Sequence, residues 1–328
     1  MKKVLFWVGV VLSAALLIFS LRGLKLDEFS SSLRQANLVW LVPGIAAYFV
    51  AVTLRAWRWQ RLLQPVGDIP LSRLFTIVVI GYMGNNIYPA RIGELVRAYV
   101  LKRSRGVSIA TSLSTVFIER LVDAIVMASF VFIGLPRVPN LPDWVRQSVL
   151  VGSGFFAVAT VIVLTLAMAP SLTHGVANAL AARLLPLRMR APALGFVEQF
   201  VQGAAGLRSP TNLLAIVAGS VFIWLTETAK YWCIAQGFGL SLGFVDLMLV
   251  NGVSNLFTII PGPPGAVGTF DAGSILTLEA LGVSQALASA YTVVLHVALW
   301  LPVTALGLTF FLREGLQWSD LRNAREVT

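Results

Sequence analysis

The chain has 328 residues, is 57% hydrophobic and only 12% charged, and carries a formal net charge of +10; its mean hydropathy is +0.81. Soluble domains sit near half apolar and a quarter charged, so these values exclude a soluble enzyme and describe an all-α polytopic membrane protein, a single membrane domain over residues 1–328. The positive charge does not point to nucleic acid, because basic stripes interleaved with aromatics are not evident, and inner-membrane proteins of bacterial type collect Lys and Arg on their cytoplasmic side.

The N-terminus, MKKVLFWVGVVLSAALLIFS, has the charge and apolar core of a signal peptide, but no A-x-A site follows it and many more apolar runs do, so it reads as an uncleaved first helix. A bilayer core needs about 20 apolar residues per helix. Runs that meet this are Val4–Leu21, Leu38–Leu54, Val107–Leu135, Ser148–Ala169, Thr211–Gln236 and Val283–Leu312. Two more, Leu71–Arg103 and Phe244–Leu281, break near their middles at Gly, Asn and Pro. Backbone of that kind is tolerated at membrane depth only where protein buries it or a wet cavity adjoins it. The expectation is six spanning helices plus two re-entrant hairpins, or eight helices. Pro170–Leu207, with Arg183, Arg188 and Arg190, reads as amphipathic helices on the cytoplasmic surface, and Leu26–Asn37 as a shorter counterpart outside.

Lys and Arg positions orient the chain. With each interrupted run entering and leaving on one side, Lys2, Lys3, Arg55, Arg58, Arg61, Arg73, Arg91, Arg97, Lys102, Arg103, Arg105, Arg183, Arg188, Arg190, Arg208, Arg313, Arg322 and Arg325 share a side, against Arg22, Lys25, Arg34, Arg137 and Arg146 on the other. That asymmetry predicts cytoplasmic N- and C-termini in the inner (plasma) membrane.

The two interrupted runs share their landmarks in order. Gly81, Asn85, Pro89, Gly93 and Arg105-Gly106-Val107-Ser108 correspond to Gly252, Asn255, Pro261, Gly268 and Leu281-Gly282-Val283-Ser284. Each is preceded by two ordinary spans and followed by one, giving repeats over about 4–135 and 148–312. Three crossings per repeat invert the second against the first, the arrangement of many secondary transporters, whose substrate sites lie at the midplane where broken helices meet.

The first break carries Asn85, Asn86 and Pro89, followed by Arg91, Glu94 and Arg97 at i, i+3 and i+6. Glu94 can pair with either arginine, leaving a positive surplus suited to an anionic group such as phosphate, which arginine binds bidentately. The next span holds Glu119, Arg120 and Asp123, about 18–24 Å along the helix from Val107 at ~1.5 Å per residue. Ionisable residues at that depth are functional candidates or a structural buried pair. Glu227 and Lys230, at i, i+3, neutralise each other or take part in the site. His296, aligned with Arg120 in the repeat, is a second-tier candidate. The second break, IIPGPPGAVGTFDAG, places Pro261, Gly262, Gly265 and Gly268 where no regular helix can form. Close backbone packing at the tip of a re-entrant loop fits better than a phosphate cradle, and Asp271 is placed to pair across the midplane. With one cysteine, Cys233, and two histidines, His174 and His296, the chain offers no disulfide, Cys–metal or nucleophile–base motif, and no metal, cofactor or catalytic residue is expected.

Three of these segments, NNIYPARIGELVR (Asn85–Arg97), FIERLVD (Phe117–Asp123) and PGPPGAVGTFD (Pro261–Asp271), resemble the flippase-like membrane family that includes the transmembrane region of lysylphosphatidylglycerol synthases, over roughly residues 5–312. Family members usually carry Glu where Asp271 stands. The resemblance implies an inner-membrane protein that moves or handles lipids with polar headgroups. In the synthases a soluble aminoacyl-transfer domain follows; here about sixteen residues follow the last span, so that activity is not expected. The resulting expectation is a non-enzymatic lipid flippase or transporter-like protein engaging an anionic headgroup, of a phospholipid or a polyprenyl-phosphate-linked sugar, in a midplane cavity. The alternatives are a non-transporting accessory subunit of a glycosyltransferase or lipid-modifying enzyme, and an intramembrane enzyme on lipid phosphates. Membrane lipids are the expected partners.

Overall fold

A computed structural model of the chain describes residues 2–88, 92–138, 143–259 and 263–317. Among the described residues every regular element is helical, as the composition requires: α1 (Lys2–Ser20), α2 (Leu26–Gln35), α3 (Leu41–Leu63), α4 (Leu71–Ile87), α5 (Gly93–Arg105), α6 (Ile109–Gly134), α7 (Asp143–Met168), α8 (Pro170–Leu184), α9 (Leu187–Gly203), α10 (Pro210–Gly237), α11 (Phe244–Phe257), α12 (Thr269–Ala280) and α13 (Gln285–Arg313).

Three of them, Leu38–Leu63 with its leading 3-10 turn, Pro210–Gly237 and Gln285–Arg313, are long and apolar enough to cross a membrane. α6 has the length, 26 residues, but carries Glu119, Arg120 and Asp123 in its middle. The chain bends by 106° between Thr160–Leu166 and Pro170–Leu184, where Pro170 opens α8 and can accept no place in a continuing helix because it lacks an amide hydrogen. α3 runs nine residues beyond the apolar run that announces it. Its buried stripe, Ala51, Val52, Arg55, Ala56, Arg58, Trp59, Leu62 and Leu63, keeps helical spacing straight through two arginines. Arg55 and Arg58 are therefore not surface charges on the cytoplasmic side, as the sequence suggested; they face the protein interior.

α3 and α10 pack antiparallel and are tied at both ends. The Asn37 amide donates to the Gly237 carbonyl at 2.8 Å, and the Asn212 side chain donates to Gln64 Oε1 at 2.8 Å. α4 and α5 form a hairpin whose arms approach to backbone contact. A Cβ on Gly84 would lie 3.2 Å from Gly93 Cα, and one on Gly93 would lie 2.6 Å from Asn85 Oδ1. α11 and α12 form a second hairpin. The first hairpin's α4 lies along α13, and the second hairpin's α11 lies along α6. Small residues permit both contacts: Gly307 of α13 faces Val79 and Met83 of α4, and Gly134 of α6 faces Leu249 of α11. One apolar core joins Trp59, Ile77, Ile80, Met83, Val96 and Phe311, and another joins Tyr231, Leu247, Ile275, Tyr291 and Leu295.

The Gly-Val-Ser landmarks have a structural basis. Gly106 ends α5 in the left-handed region at φ 73°, and Ser108 caps α6, its hydroxyl accepting from the Thr111 amide at 3.0 Å. Gly282, at φ 89°, and Ser284 occupy the same places between α12 and α13.

Candidate functional site

Both breaks open onto one cavity of about 420 Å³. Asn85, Asn86, Tyr88 and Glu94 line it from the first break. Thr258, Ile259, Pro263, Gly265 and Ala266 line it from the second. α3 supplies Tyr48 and Arg55, α6 supplies Arg120, α10 supplies Trp224, Glu227, Lys230 and Tyr231, and α13 supplies His296 and Trp300. Pro89, Arg91, Pro261 and Gly262 lie outside the described residues.

One ion-pair cluster forms the charged wall of the cavity, and a second stands behind it. In the first, Arg55 donates to Glu227 Oε1 and Lys230 to Glu227 Oε2, so one carboxylate serves two cations. Aromatic faces hold the surplus: Arg55 lies 5.3 Å from the Trp224 ring centre, and Lys230 lies 4.8 Å from that of Tyr48. The expected Glu227–Lys230 pair is thus present, joined by an arginine from α3.

The second cluster lies deeper. Arg58 is 0% exposed. It grips both oxygens of Asp123, with Nη2 to Oδ2 at 3.1 Å, and donates to Ser220 Oγ at 2.7 Å. Trp224, whose ring borders the cavity, donates its indole hydrogen to Asp123 Oδ1 at 2.9 Å. Arg97 does not pair with Glu94. It turns to Glu119 Oε2 at 3.1 Å and stacks 4.1 Å over the Trp59 ring, because α5 packs against α6. Arg97, Glu119 and Asp123 therefore stand behind the cavity wall, whereas Asn85, Asn86, Glu94 and Arg120 form it. The Arg120 side chain is 38% exposed, and its Nη1 is 3.8 Å from Asp123 Oδ2.

The expectation of uncompensated guanidiniums is corrected accordingly, since Arg55, Arg58 and Arg97 each have a carboxylate partner. What remains is a surplus of one. Setting aside the Asp271–His296 pair, among the described residues Arg55, Arg58, Arg97, Arg120 and Lys230 face Glu94, Glu119, Asp123 and Glu227.

The breaks are held by side chains. Asn85 Oδ1 accepts from the Gly93 amide at 2.7 Å. The Asn86 amide group donates to Thr304 Oγ1 at 2.8 Å, and its backbone carbonyl accepts from Trp300 Nε1 at 3.3 Å. At the second break Gly265 and Gly268 adopt φ of 70° and 88°. A Cβ on Gly265 would lie 2.9 Å from the Trp300 ring, and one on Gly268 would lie 2.6 Å from the Ser13 carbonyl. These glycines serve close packing in a left-handed backbone that side chains resist. Asp271 caps α12, Oδ2 accepting from the Gly268 amide at 2.8 Å. Its Oδ1 lies 2.6 Å from His296 Nδ1, and His296 Nε2 lies 3.0 Å from the Gly265 carbonyl.

Arg55, Arg58 and the aromatic lining escaped the sequence reading. The signal for the arginines was their place on the stripe of Val52, Trp59 and Leu62, not their distance from the apolar run. Among the described residues no three His, Cys, Asp or Glu side chains gather as metal ligands.

Sequence comparisons place relatives beside this geometry. The profile of the lysylphosphatidylglycerol synthase TM region matches residues 6–307. The chain is 26% identical over 326 residues to the glycosyltransferase AglD of Haloferax volcanii, covering 90% of this chain and 52% of that protein, so it spans about half of AglD's length. It is 24% identical to a UPF0104 membrane protein of Methanothermobacter thermautotrophicus, covering 93% of each. It is 23% identical to the UPF0104 membrane protein PH1989 of Pyrococcus horikoshii, covering 94% of this chain and 96% of that one.

Proposed function

The chain belongs to the lysylphosphatidylglycerol synthase TM-region family, and from that premise we propose that this multi-pass membrane protein binds an anionic lipid headgroup in the cavity between its two breaks and moves it across the membrane. One observation carries the reading. Arg120 turns a part-exposed guanidinium into a cavity where, among the described residues, the other arginine and lysine of the lining, Arg55 and Lys230, share a single carboxylate. A surplus cation at that depth is costly without a function, and guanidinium matches phosphate oxygens bidentately. The headgroup is that of a phospholipid or of a polyprenyl-phosphate-linked sugar, with its tails left in lipid. Asn85, Asn86, Glu94 and Arg120 contact it, with Arg91 assigned from sequence alone. Arg97, Glu119 and Asp123 hold the wall. The protein acts as a carrier, not an enzyme.

The contact pattern supports an inverted repeat over about 4–135 and 148–312. Exchanging α3 with α10, α4 with α11, α5 with α12 and α6 with α13 maps the principal contacts onto themselves, α4–α13 onto α11–α6. The antiparallel α3–α10 pair is what two opposed copies of one element produce. Re-entrant hairpins follow: α4 leaves from the Leu63 end of α3 and α5 returns to α6, whose Ile118 packs with Leu62. α12 returns to the start of α13, where Gln285 bonds the Ser20 carbonyl at 2.8 Å. With the Lys and Arg asymmetry of the sequence, this topology supports cytoplasmic termini in an inner (plasma) membrane.

Reconstitution in liposomes with fluorescent anionic phospholipid tests the proposal. Wild-type protein should accelerate transbilayer movement, and Arg120→Ala should lose most of that rate while its melting point stays near wild type. Equal rates in both would remove the site. A second reading, an accessory subunit working with a glycosyltransferase, draws on the naming of AglD as a glycosyltransferase. It expects co-purification with such an enzyme and no lipid movement by the isolated chain.

A further inference from the structure

The clusters behind the cavity differ in what they can exchange. Glu119, Asp123 and Glu227 are each committed to arginine or lysine partners, and guanidinium keeps its charge at any physiological pH. Asp271 and His296 are different. They pair with each other, on α12 and α13, at the edge of the same cavity.

Hydrogen counting fixes what that pair contains. Asp271 Oδ1 and His296 Nδ1, 2.6 Å apart, need a hydrogen between them. The Gly265 carbonyl is an acceptor only, so the 3.0 Å contact with Nε2 needs a second hydrogen on that nitrogen. An ionised carboxylate beside a neutral imidazole supplies one hydrogen, not two. The geometry points to a bound proton: we propose that the Asp271–His296 pair is the proton-binding site that couples lipid movement to a proton gradient.

The pair also has a mechanical connection. Its Nε2 hydrogen holds the Gly265 carbonyl at the tip of the second break, where Gly265 packs on Trp300 and thence on Asn86 of the first. When the Nε2–H bond breaks and the proton passes to water in the cavity, the nitrogen lone pair faces the carbonyl oxygen, and that contact turns from attractive to repulsive. The tip is then released. Reprotonation restores it. Other charged or titratable groups on this cavity are Glu94 of α5, Arg120 of α6, Arg55 and Tyr48 of α3, Tyr82 of α4, and Glu227, Lys230 and Tyr231 of α10, with Tyr88 at the first break. Phe270 of α12 covers the imidazole, ring centres 4.9 Å apart.

The coupling rests on the transport reading, but the bound proton does not, and the two are tested separately. The chain has two histidines, so nitrogen-15 histidine spectra of the full-length His174→Gln protein in nanodiscs report His296 alone. Two protonated ring nitrogens at mildly acidic pH, giving way to one as pH rises, are expected. Asp271→Asn, whose amide oxygen still caps Gly268, should alter the Nδ1 resonance, since the carboxylate partner of that nitrogen is gone. A neutral ring with one bare nitrogen at mildly acidic pH would overturn the site. In proteoliposomes with fluorescent phosphatidylglycerol, an imposed pH gradient should accelerate wild-type movement several-fold. His296→Gln should bring the ratio of rates with and without the gradient to unity, whatever its absolute rate. A ratio that stays at the wild-type value overturns the coupling, as does a wild-type rate indifferent to the gradient. A wild-type protein that moves no lipid sinks the transport reading and the coupling with it, leaving the spectra to decide on the bound proton.

Discussion

The Arg58 guanidinium is gripped bidentately by the Asp123 carboxylate in a part of the protein where the two side chains are 0% and 1% exposed. Such a pair gains little over an apolar substitute, because both ions lose their hydration, but breaking it strands a charge. Arg58→Ala or Asp123→Ala should each cost about 3–5 kcal/mol. Arg58→Met with Asp123→Leu should recover much of that loss. Thermal unfolding in detergent measures it, and a double mutant no more stable than the singles would contradict the account.

Glu227 and Lys230 should respond unequally. Glu227→Ala leaves Arg55 and Lys230 both unneutralised and should destabilise by about 3–5 kcal/mol. Lys230→Met leaves the Arg55–Glu227 pair intact, so the fold should tolerate it, while the loss of a cavity cation weakens headgroup binding. Melting curves and lipid-titration affinities separate the two effects. Equal destabilisation would show that Arg55 does not share the carboxylate.

Arg120 has one distant carboxylate partner and an exposed face. Losing a charge-assisted hydrogen bond of about 1.5–3 kcal/mol predicts a fall in transbilayer rate of roughly ten- to a hundredfold in Arg120→Ala. Arg120→Lys should recover part of it, keeping the charge but not the fork. Rates read against melting points identify a binding effect; a parallel drop in both would assign Arg120 to the scaffold.

The close approach of the hairpin arms predicts contrasting glycine substitutions. Gly93→Ala must displace Asn85 or the facing α4 backbone, an overpacking cost of about 1–3 kcal/mol. Gly195→Ala, in α9 with no neighbour within 4 Å, should be neutral or stabilise by about 0.5–1 kcal/mol through helix propensity. Calorimetry on the two variants checks the sign of each.

Topology is open to chemical labelling. In a Cys233→Ala background, Ser30→Cys in α2 and Arg105→Cys at the end of α5, both exposed, should react with an impermeant thiol reagent from opposite faces of sealed vesicles. Labelling of both from one face would refute the proposed orientation.

How much of this was written in the sequence depends on range. Asn85, Pro89 and the Gly-Pro cluster marked both breaks, because backbone that cannot continue a helix declares itself locally. The charges of α6 and α10 stood out against apolar neighbours. Arg55 and Arg58 did not, since they sit within a Trp- and Arg-rich end that looks like an interfacial anchor, and only the burial of α3 against α10 and α6 reveals otherwise. The change of partner by Arg97, from Glu94 to Glu119, has the same origin: spacing gives the neighbours along one helix, while packing chooses among those on the next. His296 stood only as a second-tier candidate, because the sequence could not show that the fold brings Asp271 to one nitrogen and the tip of a break to the other.

Hydrogen bonds at the two ends of α3 and α10, Asn37 to Gly237 and Asn212 to Gln64, tie that pair together against sliding. It is an axle. On the proposed transport, the hairpin arms and α6 and α13 would rock about it, so cross-linking α3 to α10 should leave lipid movement intact, and cross-linking α4 to α13 should stop it.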